Sequence, residues 1–397
     1  MKNPISQFLQ ERIDANDFPS AVYLVAEKGE IVLRDALGLA VAEPEQIPAT
    51  MNTIYDLASL TKPLVTGLLS AKLIESCEIE LSDKISEIFK EFDIDEKSEI
   101  TIGNLLTHTS GFKAWEPFYL LPGAPIHYGA RYIPEPEPGI NQFVLKQIAK
   151  IPLESQPNSV VRYSDLNFLL LAFIVEKVFG WSLHGIATRE IDVRLRLTRT
   201  FFGGVDTLRN EIAASEKGNE YEKQTCIELG YLKPQLDGSD KEIRTPHSAF
   251  RTETIWGEVP DGNAYFMGGI AGHAGLFSTT EEVFKIALQF LPNYTTLLKP
   301  ATCDLFTTNF TPGMNEARSI AFQLAETPES TAGSRMSPQS FGHLGFTGTS
   351  LWIDPVKERI VILLTNRTHA HPLPFVNINS VRRRFHDLAN DLLDEKN

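Results

Sequence analysis

The chain of 397 residues is 42% hydrophobic and 22% charged, an ordinary globular composition with enough apolar material for one large or two interlocked domains. Its formal net charge of -14 provides no basic surface of the kind that nucleic acid or an anionic membrane requires, so neither is expected as a partner. Three cysteines, Cys77, Cys226 and Cys303, lie far apart with no CxxC spacing, which fits a reduced compartment and suggests neither a disulfide framework nor a zinc ribbon.

Residues 4 to 15 carry helical periodicity. The N-terminal stretch has no apolar core of the signal-peptide kind, so a cytosolic protein is expected, a leader trimmed ahead of residue 1 being the alternative. "AVYLVAEKGEIVLRDALG", residues 21 to 38, gives two β-rich runs meeting at Lys28-Gly29, a hairpin signal. "YDLASLTKPLVTGLL", residues 55 to 69, predicts a helix from about Leu60, with Pro63 in the first turn, where a missing N–H costs little. From 76 to 260 helical patterns are broken by Pro and Gly, and a loop at 115 to 139 holds six prolines. "GLFSTTEEV", residues 275 to 283, predicts a helix capped by Ser278 and Glu281. "RSIAFQLA", "HLGFTGTSLWID" and "RIVILLTNR" read as three strands, the last two joined over Asp354-Pro355, and residues 377 to 395 as an amphipathic helix. The predicted fold class is α/β: an antiparallel sheet flanked by helices and built from both chain ends, residues 1–75 and 261–397, with a mostly helical domain, 76–260, inserted between them. The seam between the two is the expected place for a site.

Ser59 and Lys62 stand one turn apart in an otherwise apolar segment. At a helix start the free N–H groups and the positive dipole end favour negative charge near the serine oxygen. Lys62 on the same face can reach the hydroxyl, and desolvation lowers the pKa of a buried lysine, by roughly 3 to 5 units at the extreme, which lets it take the proton. Ser110 and Lys113 repeat the SxxK spacing after a turn, with nothing to fix them on one face, and are assigned to structure. Tyr163 precedes a helix that runs to about Phe179 and stops at Gly180; its phenol can exchange a proton with Lys62 and pass it to a leaving group. In "GHLGFTGTSLW", residues 342 to 352, glycines let a strand approach a ligand and offer it N–H groups, with His343 facing the cleft. The repeated HxG at His273 to Gly275 reads as a loop. His369 and His371 read as a solvated pair after the last strand, and no metal or cofactor is expected.

The ordered set Ser59 to Lys62, Tyr163 to Asp165 and His343 to Gly345 resembles the three motifs of the class C β-lactamase, DD-peptidase and family VIII carboxylesterase group of serine hydrolases. The likeness covers nearly the whole chain, with counterparts also for "HTSG" at 108 to 111 and "GFTGTSLWIDP" at 345 to 355. It implies an α/β sandwich with an inserted helical domain, catalysis by Ser59, Lys62 and Tyr163, substrate contacts from Asp165, His343, Gly345 and Phe346, and an oxyanion hole made by the N–H groups of Ser59 and Phe346. Asp165 stands where β-lactamases of this group usually have Asn, and His343 where they usually have Lys. An ionised aspartate only accepts hydrogen bonds and favours the charged form of Lys62, against its use as a base; histidine removes a fixed positive charge that would attract a substrate carboxylate.

A serine acyl hydrolase working through an acyl-enzyme is therefore expected, an esterase or β-lactamase-related hydrolase of a small-molecule ester, lactam or peptide, with a D-amino-acid peptidase or true β-lactamase as the alternative. A non-catalytic binding protein that keeps the fold is the competing class. An α/β-hydrolase esterase is excluded because no GxSxG occurs. The loop aromatics Trp115, Phe118, Tyr119, Tyr128 and Tyr132 have two readings, an apolar acyl pocket or packing of an irregular loop.

Overall fold

Two runs of β-branched and aliphatic residues from opposite ends of the chain lie side by side at the centre of the protein. Strand β1 (Ser20–Glu27) turns at Lys28-Gly29 into β2 (Glu30–Val41) and pairs on its other side, antiparallel, with β10 (Arg359–Thr365). Both turn residues take positive φ, 52° and 77°, as a two-residue hairpin with the twist of its strands requires. The computed structural model describes residues 3–125, 139–203, 206–233 and 250–395. In it a seven-stranded antiparallel sheet runs β3-β2-β1-β10-β9-β8-β7, with β3 Ile47–Pro48, β7 Gln323–Leu324, β8 Phe341–Leu344 and β9 Ser350–Asp354.

Both faces of the central strands are buried. Val22, Leu24, Ile360, Ile362 and Leu364 face the large core shared with the helices of the middle of the chain. Their alternates Tyr23, Val25, Val361 and Leu363 face a smaller core closed by helix α1 (Pro4–Asp14) and the C-terminal helix, which supplies Phe385, Ala389 and Leu393. Such double burial explains why β10 reads as a continuous apolar run instead of an alternation. A second, three-stranded sheet joins β4 (Tyr55–Asp56), β5 (Phe201–Phe202) and β6 (Leu276–Ser278) in the order β4-β6-β5, so the mostly helical middle of the chain contributes one strand to it.

The strand expected over "RSIAFQLA" is corrected: only Gln323–Leu324 is extended, because the chain folds back at 319–322, with Ser319 N–H bonded to Phe322 O at 3.2 Å and Ala321 at φ 61°. "HLGFTGTSLWID" is likewise two strands, β8 and β9, hinged at Gly345–Thr349 by bonds from Gly345 N–H to Thr349 O (2.9 Å) and from Gly348 N–H to Gly345 O (3.1 Å). The helix after β6 (Thr280–Ala287) is capped one residue later than expected, by Thr279 accepting from Glu282 N–H, since Ser278 belongs to the strand. Helix α2 (Leu68–Glu75) packs on α3 (Asp165–Phe179), which is buried on every side from Leu166 to Val175. Gly180, φ 73°, ends α3 as expected.

Phe118 and Tyr119 are buried in the main core and Trp115 packs against it, so these three serve packing. Tyr128 and Tyr132 lie outside the described residues.

Candidate active site

Ser59 sits in a 3-10 turn, Ala58–Leu60, that opens through a wider π-type turn, Lys62–Gly67, into α2. An α-helix from Leu60 was the expectation. Pro63 has no N–H to offer the carbonyl of Ser59 four residues back, and the regular α register is absent there. Ala58 takes φ 47°, a left-handed conformation that costs a non-glycine residue about 1 to 2 kcal/mol. Thr61 Oγ1 donating to Ala58 O (2.7 Å) and Leu57 N–H donating to Leu276 O (2.9 Å) hold it.

The Lys62 side chain is 0% exposed, and Nζ meets Ser59 Oγ at 3.0 Å, the His273 carbonyl at 3.0 Å and Asp165 Oδ1 at 2.7 Å. An ammonium has three N–H donors, and three acceptors surround this one. Burial alone would push the pKa of Lys62 down, as expected from sequence. Together Asp165 and Tyr163 outweigh that burial, and the net shift is upward. The expectation of a lowered lysine pKa is therefore corrected, and the opposing effect foreseen for Asp165 is the one that prevails.

Tyr163 lies immediately before α3, whose cap is Ser164 and whose first residue is Asp165. Lys62 Nζ stands 4.9 Å from the Tyr163 ring centroid. Tyr163 as a whole is half-buried. Burial raises its phenol pKa against the pull of the Lys62 charge. Behind the ring stands His108, 4.6 Å away between centroids, whose Nδ1 accepts from Ser164 N–H at 3.1 Å and so aligns the start of α3.

His343, on β8, is 4% exposed, with its ring 5.8 Å from that of Tyr163. It is enclosed beside the phenol and does not stand open in a cleft. Its Nδ1 contacts Leu344 O at 2.8 Å; a carbonyl only accepts, so Nδ1 carries the proton and Nε2 presents a lone pair. Burial, reinforced by the Lys62 and Arg318 charges, holds its pKa well below the usual value, so it stays neutral at physiological pH. Gly345 follows, then Phe346 at 39% exposure. A Cβ on Gly345 would stand 2.0 Å from Thr349 Oγ1 and 2.6 Å from Leu57 O, so only glycine lets this turn press on the segment that carries Ser59. Thr347 and Thr349 clamp the contact, their hydroxyls donating to Asp56 O (3.0 Å) and Leu57 O (3.1 Å).

All seven residues singled out from sequence thus belong to one region, through contacts that link Ser59, Lys62, Tyr163 and Asp165 directly, and His343, Gly345 and Phe346 through the β8–β9 turn. Several participants had no sequence signal beyond a quoted motif: His108 within "HTSG", the carbonyl of His273, and Asp261, which accepts from Ala264 N–H (2.7 Å) and lies 3.0 Å from His273 Nε2. Asp165, Asp261 and His273 bring one ligating atom each within 4.8 Å of one another, a grouping of metal-ligand types among the described residues. The Lys62 ammonium already supplies a cation to its Asp165 edge. The second SxxK is structural: Ser110 Oγ donates to Asn167 Oδ1 (2.6 Å), and Lys113 turns away to Glu116 and Tyr231. His369 is corrected from solvated to buried, Nε2 accepting from Ala42 N–H at 2.9 Å and Nδ1 facing Ser215 O at 2.8 Å.

Residues 5–382 match the family model described as Beta-lactamase. The chain belongs to the beta-lactamase family. A relative from Escherichia coli (strain K12), named a D-alanyl-D-alanine carboxypeptidase, is 31% identical over 388 residues, covering 93% of this chain and 82% of the relative. One from Salmonella agona (strain SL483) with the same name is 31% identical over 385 residues, with 91% and 82% covered. Among solved structures, EstCE1, a hydrolase with promiscuous acyltransferase activity, superposes with a TM-score of 0.68 at 20% identity, covering 97% of each chain. A class C beta-lactamase superposes with the same TM-score at 16% identity, over 98% of this chain and 96% of the other. These structural likenesses establish the fold. As a beta-lactamase family member the protein is a serine hydrolase, of a family that acts on ester, lactam or peptide substrates.

Proposed function

We propose that this beta-lactamase family protein hydrolyses a small ester or amide through an acyl-enzyme on Ser59. The observation that supports it is the Ser59 hydroxyl 3.0 Å from Lys62 Nζ, with the Tyr163 ring centroid 4.9 Å from the same Nζ. In the reactive protonation state, one proton fewer on the Lys62 and Tyr163 pair, Ser59 gives its proton to that pair as its oxygen bonds to the substrate carbonyl carbon. The N–H groups of Ser59 and Phe346 receive the oxyanion; the bond to the leaving group then breaks, and the leaving group takes a proton from Tyr163. Water cleaves the acyl-enzyme by the reverse proton route.

The substrate reading favours an ester over a carboxylate-bearing lactam, because the neutral His343 supplies no fixed charge to attract a carboxylate. A D-amino-acid peptidase is the second reading, favoured by the 31% identity to relatives with that kind of name. Labelling with a fluorescent phosphonate, then peptide mapping, should place the tag on Ser59. Ser59→Ala should remove both the label and turnover of p-nitrophenyl acetate; retained turnover in that variant overturns the proposal. A panel of short-chain esters, nitrocefin and D-alanyl peptides ranks the substrates.

A further inference from the structure

Arg382, on the C-terminal helix, is 6% exposed, and among the described residues no carboxylate lies within ion-pair distance of it. A buried cation without a counter-ion is costly, several kcal/mol in effect, unless strong hydrogen bonds offset its lost hydration. Its bonds go to the β8–β9 turn: Nη2 donates to Gly345 O at 2.7 Å and to Thr349 O at 3.0 Å, while Nη1 is steadied by Asn379 Oδ1 at 2.9 Å. Gly345 O and Phe346 N–H are the two ends of one planar peptide group. A charge-assisted bond to the carbonyl end fixes the plane, and by drawing electrons toward oxygen it strengthens the N–H at the other end as a donor. Arg367 braces the next carbonyl, Nε donating to Phe346 O at 2.8 Å.

We propose that Arg382 is the positioning residue of the oxyanion hole: it holds and polarises the Gly345–Phe346 peptide so that the Phe346 N–H meets the developing negative charge. The inference rests on the reading of Ser59 and Phe346 as oxyanion donors. Because the guanidinium is enclosed, it acts through the peptide and not by contact with substrate, so its loss is felt in the transition state and little in substrate binding.

The test uses Arg382→Gln, Arg382→Lys and Asn379→Ala, with kcat and KM per active site counted by the end point of phosphonate labelling. Arg382→Gln should lower kcat by about 10- to 100-fold, less than outright loss of an oxyanion donor, with KM within about threefold. Affinity for a boronic acid that forms a tetrahedral adduct should fall in proportion to kcat/KM across the three variants. Arg382→Lys, which keeps a charged donor, and Asn379→Ala should lie between wild type and Arg382→Gln. Loss of activity explained wholly by fewer labelled sites or a lower Tm, or boronate affinity that does not follow kcat/KM, overturns the inference. Should Arg382→Gln fail to fold, the other two variants carry the same proportionality. The Ser59→Ala result is independent: turnover lost there but unchanged on substitution of Arg382 refutes only the role of Arg382.

Discussion

Lys62 is bonded as an ammonium, and its readiness to act as a base is set by Asp165. Asp165 and Tyr163 raise its pKa, so the form with one proton fewer becomes populated only as pH rises through that raised value, and kcat/KM should climb toward alkaline pH. Asp165→Asn removes the negative neighbour and leaves burial opposed only by Tyr163, which lowers the pKa; the acid limb of the profile should then move to lower pH. A limb that stays in place, followed by p-nitrophenyl ester hydrolysis between pH 5 and 10, would show that Lys62 does not govern it. Asp56 offers a separate test on stability. Burial, with Asp261 adding to it, pushes its carboxyl up to about 7. The folded state therefore binds a proton that the unfolded chain, near 3.8, has released, and the contribution is full below that value and lost as pH rises to 7. Across that window this group lowers stability by about 1.4 kcal/mol per pH unit. Asp56→Asn should flatten that part of the curve of Tm against pH.

At the scale of elements, the β8–β9 turn and the segment from Leu57 to Ser59 form one unit, since the turn's threonine hydroxyls occupy the carbonyls of Asp56 and Leu57. Gly345→Ala puts a methyl group 2.6 Å from Leu57 O and 2.0 Å from Thr349 Oγ1, so one strand must recede from the other. A loss of about 1 to 3 kcal/mol in stability is expected, measured by urea unfolding, with a larger proportional fall in kcat than in labelled sites. An unchanged kcat would mean that the turn and the nucleophile are not mechanically coupled. This unit also shows where pattern reading stops. "HLGFTGTSLWID" has one β-like composition throughout, and what divides it is a turn held by long-range contacts with residues near 57.

At the scale of the molecule, the central pairing of β1 with β10 joins residues 21–27 to residues 359–365, so the sheet cannot close until both ends are present. Deleting residues 1–41 strips α1, β1 and β2, uncovers the smaller core and leaves β10 an open apolar edge; the product should aggregate on sedimentation, where a monomeric, cooperatively folded fragment would contradict this view. Separations of this length also predict slow folding.

By itself the sequence determined what short spacing can encode. Lys28-Gly29 demanded a tight turn, the apolar periods at both ends specified a sheet with covering helices, and the three-position step from Ser59 to Lys62 placed hydroxyl and amine within a turn of each other. Tyr163 with Asp165, and His343 with Gly345, were recognisable because each motif is local. Only the tertiary structure decided the charge on Lys62, because the burial that opposes it and the Asp165 and Tyr163 groups that favour it come from segments far from residue 62, and their balance is a sum over space. It likewise decided that His343 is enclosed and neutral, and that Arg382, one arginine of a polar triplet in sequence, is buried against the carbonyl of Gly345. Local patterns fix which side chains share a turn; which buried polar groups answer one another depends on how far-separated segments pack.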